Sequence, residues 1–239
     1  MKFMAGTDPD SIGAVNVLAT DYDRTLTDID LTLSRETIRA VDDASEAGLG
    51  IIIVSGRGVR FMLNLKNRFR KVDALVAENG AVIMCNGSVE RLQEQNGERI
   101  ATLLMEHHVP FVKGQVISYI QKGHVHDAER AVLKMNGIAK LVRNLDSGMV
   151  LPSGVDKDVG LLQALDKLGR RASETAVVGD GENDMSLFEG PFFRVALQNS
   201  VSQLTERAAA VTESSGGEGV RELIAAILAA KGSGRKSVL

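Results

Sequence analysis

Two short acidic runs hold most of the chemistry available to this sequence. Asp21-Tyr22-Asp23-Arg24-Thr25 follows the apolar run Val15 to Ala19, and Gly179-Asp180-Gly181-Glu182-Asn183-Asp184 closes a second apolar run, Thr175 to Val178. Such runs predict buried strands, and acids at their ends fall at the carboxyl edge of a sheet, where open α/β folds build ligand crevices. Taken alone, Asp-x-Asp reads better as a polar strand end with an Asx turn. Two acidic strand ends side by side change that reading, because pooled carboxylates repel one another until a cation joins them. A hard ion such as Mg²⁺ takes oxygen ligands of this kind. Gly181 suits a tight turn, and Asp184 falls near the first turn of a helix predicted to begin by Met185. The Gly-x-Gly lacks the third glycine and long helix of a dinucleotide fingerprint.

Two further polar signals share this context. The run Leu49 to Val54 ends in Ser55-Gly56-Arg57, and Lys157 precedes the helix predicted over Val159 to Leu168, after the break Pro152-Ser153-Gly154. A hydroxyl and a backbone N–H at a strand end hold a phosphoryl oxygen, while an ammonium neutralises its charge. Singly, these are a common turn and a solvated lysine; with the acids they form one constellation.

Asp21-x-Asp23-x-Thr25, Ser55-Gly56, Lys157 and Gly179-Asp180-x-x-x-Asp184, in this order, resemble the four motifs of the haloacid-dehalogenase-type phosphohydrolases. The resemblance spans most of the chain. Glu78-Asn79-Gly80 and the intervening segment are similar to the branch whose cap is inserted between the second and third motifs. That branch includes Cof-type sugar phosphatases, sucrose-phosphate phosphatases, phosphomannomutases and archaeal phosphoglycolate phosphatases, and the short insert most resembles the last of these. One departure is Arg24, where the family usually has glycine.

The resemblance implies an α/β fold with a Rossmann-like parallel sheet core and an inserted, smaller α+β cap. Residues 1–83 and 154–239 would form the phosphohydrolase core and 84–153 the cap. It implies an Mg²⁺-dependent phosphatase acting on a small phosphorylated metabolite, with phosphoglycolate first, a sugar phosphate second and a phosphomutase third. Asp21 would be the nucleophile, since a carboxylate is ionised at neutral pH and needs no activating base. Asp23 would protonate the leaving oxygen and then take a proton from water. Asp21, the Asp23 carbonyl and Asp180 would hold the metal, with Asp184 joining them through water. Ser55, Gly56 and Lys157 would bind the phosphoryl oxygens, and Asn183 would orient Lys157 or the phosphate. A non-enzymatic phospho-receiver also carries an acidic pocket and a lysine, yet it needs neither a second domain nor Asp23.

The remaining sequence must position these groups. Strand and helix signals alternate: strands over 49–54, 74–77, 175–178, 194–197 and 210–212, with helices over 34–47, 59–69, 159–168, 201–208 and 220–230. That alternation demands right-handed crossovers and a parallel sheet. The insert breaks the rhythm. Asn86-Gly87 marks a hairpin, helices are predicted over 99–107 and 127–135, and strands over 115–121, 140–143 and 149–151. Met1 to Ala14 reads as a loose extension, Gly216-Gly217-Glu218-Gly219 as a helix entry loop, and 231–239 as a basic tail.

Composition excludes several classes. A net charge of −3, 4% aromatic residues and no Trp argue against nucleic acid, and no run reaches the length of a membrane span. The single cysteine, Cys85, permits no internal disulfide and reads as a buried hydrophobe. His107, His108, His124 and His126 all fall in the insert without cysteine or carboxylate partners at ligand spacing, and read as solvated or substrate-facing. A cytoplasmic location is expected, with a homodimer left open as the assembly.

Overall fold

The computed structural model describes residues 1–144 and 146–234. In chain order the strands of its larger sheet are β1 (Lys2–Phe3), β2 (Val17–Thr20), β3 (Gly50–Val54), β4 (Ala74–Ala77), β5 (Val82–Cys85) and β6 (Ser88–Arg91). After the insert come β11 (Thr175–Gly179), β12 (Phe193–Ala196) and β13 (Ala210–Val211). The insert holds α3 (Glu94–Glu106), β7 (Val112–Lys113), β8 (Ser118–Ile120), α4 (Val125–Leu133), β9 (Ala139–Asn144) and β10 (Ser147–Pro152). The remaining helices are α1 (Arg35–Glu46), α2 (Val59–Lys66), α5 (Lys157–Lys167), α6 (Met185–Glu189), α7 (Ser202–Arg207) and α8 (Gly216–Gly234).

The large sheet has the order β1-β13-β12-β11-β2-β3-β4-β5-β6, parallel from β13 to β4 and antiparallel at both margins. Its central strands are apolar throughout because both faces are covered. Leu18, Ile51, Ile53 and Val178 face α1, α2 and α8, while Val17, Ala19, Ile52 and Val177 face α5, α6 and α7. From β2 the chain progresses outward through β3 and β4; it returns at β11 on the other side of β2 and progresses the opposite way. The carboxyl ends of β2 and β11 therefore flank the topological switch point, the natural crevice of such a sheet.

The insert forms its own antiparallel sheet, ordered β7-β8-β10-β9. One face packs on α3 and α4 through Ile100, Leu104, Ala128, Ile120 and Val150; the other joins the large core through Tyr119, Met149 and Leu151. The hairpin β5–β6, most of which the sequence reading gives to the insert, is paired to the large sheet. Val82 and Met84 pack into the main core, which a turn signal alone does not reveal.

Three expectations are corrected. Met1 to Ala14 is not loose: β1 pairs antiparallel with β13, Ile12 is buried, and the Met1 amine pairs with Glu222. A two-residue strand whose partner lies about two hundred residues away leaves no local period to read. Gly216 to Gly219 are the first turn of α8 rather than a loop before it. The glycines among them let the helix approach closely, since a Cβ at Gly217 would lie 2.5 Å from Thr37 Oγ1. The same helix continues through Gly234 into the predicted tail, whose last five residues lie outside the described residues. Among the described residues no helix is long and apolar enough to cross a membrane.

Candidate active site

The backbone of Asp21 continues the β2–β11 ladder one step past β2, donating its N–H to Val178 O at 3.0 Å. This sets Asp21 beside the start of the second acidic run. The chain then leaves the sheet through Asp23 (φ −72°, ψ 122°) and reverses at Arg24 (φ 60°, ψ 2°). Thr25 returns beneath the site and donates Oγ1–H to Asp180 Oδ1 at 2.9 Å. Asp21, Asp180 and Asp184 thereby bring one carboxylate oxygen each to within 4.8 Å of one another, all three buried.

Asp184 is seated by its own loop. Its Oδ2 accepts the N–H groups of Asp180 and Gly181 at 3.0 and 3.1 Å. Gly179 makes room for this arrangement, because a Cβ there would lie 2.6 Å from Asp184 Cγ. Lys157, at the first turn of α5, has no exposed surface, and its ammonium bridges Asp21 Oδ1 at 2.6 Å and Asp184 Oδ1 at 2.5 Å. The helix reaches that position because Gly160 rests on the turn at Gly80: a Cβ on Gly160 would lie 2.6 Å from Gly80 Cα, and one on Gly80 would lie 1.9 Å from Asp156 O.

Three carboxylates against one ammonium leave an excess of buried negative charge. Burial pushes the Asp21 carboxyl well above the usual carboxylate range, Asp184 adds to the rise, and Lys157 opposes it. Burial and Asp184 push the Asp180 carboxyl up to about 6, against the bond from Thr25. The carboxylates hold the Lys157 ammonium above its ordinary value despite the burial that opposes it. A buried, all-oxygen donor set with surplus anionic charge fits a hard divalent cation, which would relieve both raised carboxyl groups at once.

The carboxylate of Asp23 is not in this group. Arg57 grips it, with Nη2 at 2.6 Å from Oδ1 and Nε at 2.9 Å from Oδ2, and the guanidinium also lies over the Phe61 ring. Ser55 is buried at the end of β3; its Oγ accepts the Arg57 N–H at 3.2 Å. Gly56 lines the cavity, and Asn183 does too without a hydrogen bond to Lys157, whose orientation comes from Asp21 and Asp184. Sequence reasoning gave no role to Asn199, whose amide donates to Arg24 O at 3.3 Å and to Asp180 Oδ2 at 3.4 Å while its Oδ1 accepts the Gly216 N–H. A loop asparagine carries no signal of such a junction.

The insert is anchored to this site through Glu78, which follows β4 in a left-handed conformation (φ 52°). Its buried carboxylate accepts the N–H groups of Gln115, Val116 and Ile117 at 2.8, 2.9 and 3.1 Å. Gly114 permits the approach, since its Cβ would fall 2.6 Å from Glu78 Oε2. The half-buried Tyr119, whose hydroxyl pKa burial and Glu78 raise, donates to Gly56 O at 3.1 Å. Between the two sheets lies a cavity of about 1020 Å³ lined by Asp21, Asp23, Asp180, Arg57, Tyr119 and Arg143 among others. None of the four histidines lines it; His124 and His126 face Asp127 and Glu129.

A family model described as haloacid dehalogenase-like hydrolase matches residues 18–142 and 138–224. Phosphoglycolate phosphatase 2 of Saccharolobus solfataricus is 31% identical over 225 residues, covering 91% of this chain and 94% of that protein. Phosphoglycolate phosphatase of Methanothermobacter thermautotrophicus is 29% identical over 222 residues, covering 88% and 97%. A Thermoplasma acidophilum crystal structure superposes with a TM-score of 0.78 at 21% identity, covering 89% of this chain and 98% of that one.

Proposed function

The chain belongs to the haloacid dehalogenase-like hydrolases and is a phosphoric monoester hydrolase, and we propose that it hydrolyses phosphoglycolate to glycolate through an aspartyl-phosphate on Asp21, with Mg²⁺ as its metal. Phosphatases of this family use a divalent metal and act on small phosphorylated compounds. The observation that carries the mechanistic reading is the buried meeting of Asp21, Asp180 and Asp184 at the switch point, with Lys157 bridging two of them.

Asp21 presents an oxygen at the inner wall of the cavity, where it attacks phosphorus in line and displaces the alcohol oxygen. Asp23, two residues on, hands that oxygen a proton, then takes one from the water that attacks the phosphoaspartate. The Arg57 grip must relax for this, and a half-exposed ion pair worth about 1 kcal/mol or less is readily exchanged for an incoming phosphate. Lys157 holds Asp21 in its attacking orientation and adds positive charge where the equatorial oxygens gather negative charge. Ser55, the Gly56 N–H and Asn183 complete the phosphoryl cradle. Asp21, the Asp23 carbonyl, Asp180 and Asp184 would hold Mg²⁺, which when bound lets the anionic nucleophile and the anionic phosphate approach one another. Residues of the insert act as a cap over the leaving group.

The names of the relatives support phosphoglycolate as the substrate. A sugar-phosphate phosphatase is the second reading, favoured by a cavity of about 1020 Å³, which has room for more than a two-carbon acid. A steady-state screen of small phosphate monoesters with Mg²⁺ separates them: highest catalytic efficiency on phosphoglycolate supports the first, and a hexose phosphate ranked above it replaces that reading with the second.

A further inference from the structure

Arg24 is the residue of the first acidic loop that the phosphoryl chemistry leaves unused. It occupies the left-handed region (φ 60°, ψ 2°), which residues with a Cβ enter only against a steric penalty. The loop forces this conformation on whatever stands there: Arg24 N donates to Thr27 Oγ1 at 2.8 Å, and Arg24 O accepts from Asn199. Glycine would meet the demand without strain, yet the chain spends the position on a guanidinium.

Arg24 is exposed and lines the same cavity as Asp21, Asp23 and Asp180. Two other arginines line the cavity, and each is occupied: Arg57 by Asp23, and Arg143 by Glu129. Arg24 forms no salt bridge with any carboxylate among the described residues, and the acid its charge reaches is Asp180, which it helps to hold ionised. A cation without a salt bridge, held in a strained turn at the wall of a substrate cavity, is poised for an anion, and the phosphoryl group is already provided for by Ser55, Gly56 and Lys157.

Building on the phosphatase reading above, we propose that Arg24 is a specificity-determining residue that binds a second anionic group of the substrate, a carboxylate or a second phosphate, while the first phosphate lies against Asp21. The planar fork of arginine suits such two-oxygen groups. The enzyme then selects phosphate esters bearing a second negative charge over esters of uncharged alcohols of the same length.

The test compares catalytic efficiencies on phosphoglycolate, 3-phosphoglycerate, a sugar bisphosphate, and two esters without a second anion, 2-hydroxyethyl phosphate and an aryl phosphate. The wild type is compared with Arg24→Gln, which keeps the size and loses the charge, and Arg24→Lys, which keeps the charge. The expected result is a wild-type preference for at least one doubly anionic ester. Arg24→Gln should lower that preference tenfold or more, mainly through KM, and Arg24→Lys should restore part of it. An unchanged ratio in Arg24→Gln overturns the proposal, as does a wild type without preference for a second anion. Poor turnover of phosphoglycolate beside an Arg24-dependent preference for another doubly anionic ester contradicts the phosphoglycolate reading alone.

Discussion

The ammonium of Lys157 lies 2.5 Å from Asp184 Oδ1, and neither side chain has exposed surface. The same ammonium reaches Asp21, so one cation bridges two of three clustered carboxylates. Removing one partner of a buried ion pair leaves charge that nothing solvates, at a cost of about 3–5 kcal/mol.

Lys157→Met should therefore lower the unfolding free energy of the metal-free protein by about that amount. Lys157→Met with Asp184→Asn should recover part of it, because the second change removes one stranded charge. Both proteins should lose turnover by at least two orders of magnitude. Denaturant titration and steady-state rates check this, and a Lys157→Met protein as stable as wild type would show that the bridge is not what balances the acids.

Metal removal should stop turnover and Mg²⁺ should restore it, while Ca²⁺, with its looser and larger shell, should inhibit. The metal effect on stability should also depend on pH. Asp180 takes up its proton near 6 in the folded chain against an ordinary 3.8, so the folded state binds more protons between those values. Stability contributed by this group therefore falls as pH rises from about 4 to about 6 and is level above that window. A cation offsets the loss only where the carboxyl is ionised. The rise in Tm on adding Mg²⁺ should be larger at about pH 7.5 than at about pH 5; equal shifts would mean that the cation binds elsewhere.

Much of this site is legible in the sequence because it is built at strand ends. Asp21, Ser55 and Asp180 each follow an apolar run whose burial forces a strand, so their common edge follows from the alternation of strands and helices. What pairs with what is a different matter. That Arg57 holds Asp23, or that Asn199 ties Arg24 to Asp180, depends on loops that meet only once the sheet order is set. The hairpin β5–β6 illustrates the same limit: its turn is visible in Asn86-Gly87, but its pairing with β4 is a tertiary choice. The glycines of α8 read as a loop by propensity, and packing against Thr37 overrides that propensity.

Gly179→Ala should injure the site without altering any charge. The added Cβ would meet Asp184 at 2.6 Å, and Asp184 cannot yield without losing Lys157 and two backbone donors. Turnover should drop about a hundredfold and more Mg²⁺ should be needed for half-maximal rate. Gly13→Ala, where the nearest atom would be 3.8 Å away, serves as the control and should change neither.

Glu78 should govern the seating of the insert. Glu78→Gln removes one acceptor and turns an amide donor toward the N–H groups of Gln115, Val116 and Ile117. The loss should be about 1–3 kcal/mol of local stability. Amide hydrogen exchange should then accelerate over residues 112–120 while β2 and β11 stay protected, and selectivity among phosphate esters should fall more than the rate on an aryl phosphate. Unchanged exchange in that segment would remove Glu78 from this role.

The central claim is that Asp21 forms a covalent bond to phosphorus. The direct measurement is acid quench of Asp23→Asn protein during turnover of a labelled phosphate ester with Mg²⁺, then borohydride reduction and peptide mass spectrometry. Because Asp23→Asn slows hydrolysis of the intermediate, the account predicts a phosphoenzyme whose reduction product maps to Asp21 and which is absent in Asp21→Asn. Single-turnover product formation with no labelled protein, or a label on any other residue, would contradict it.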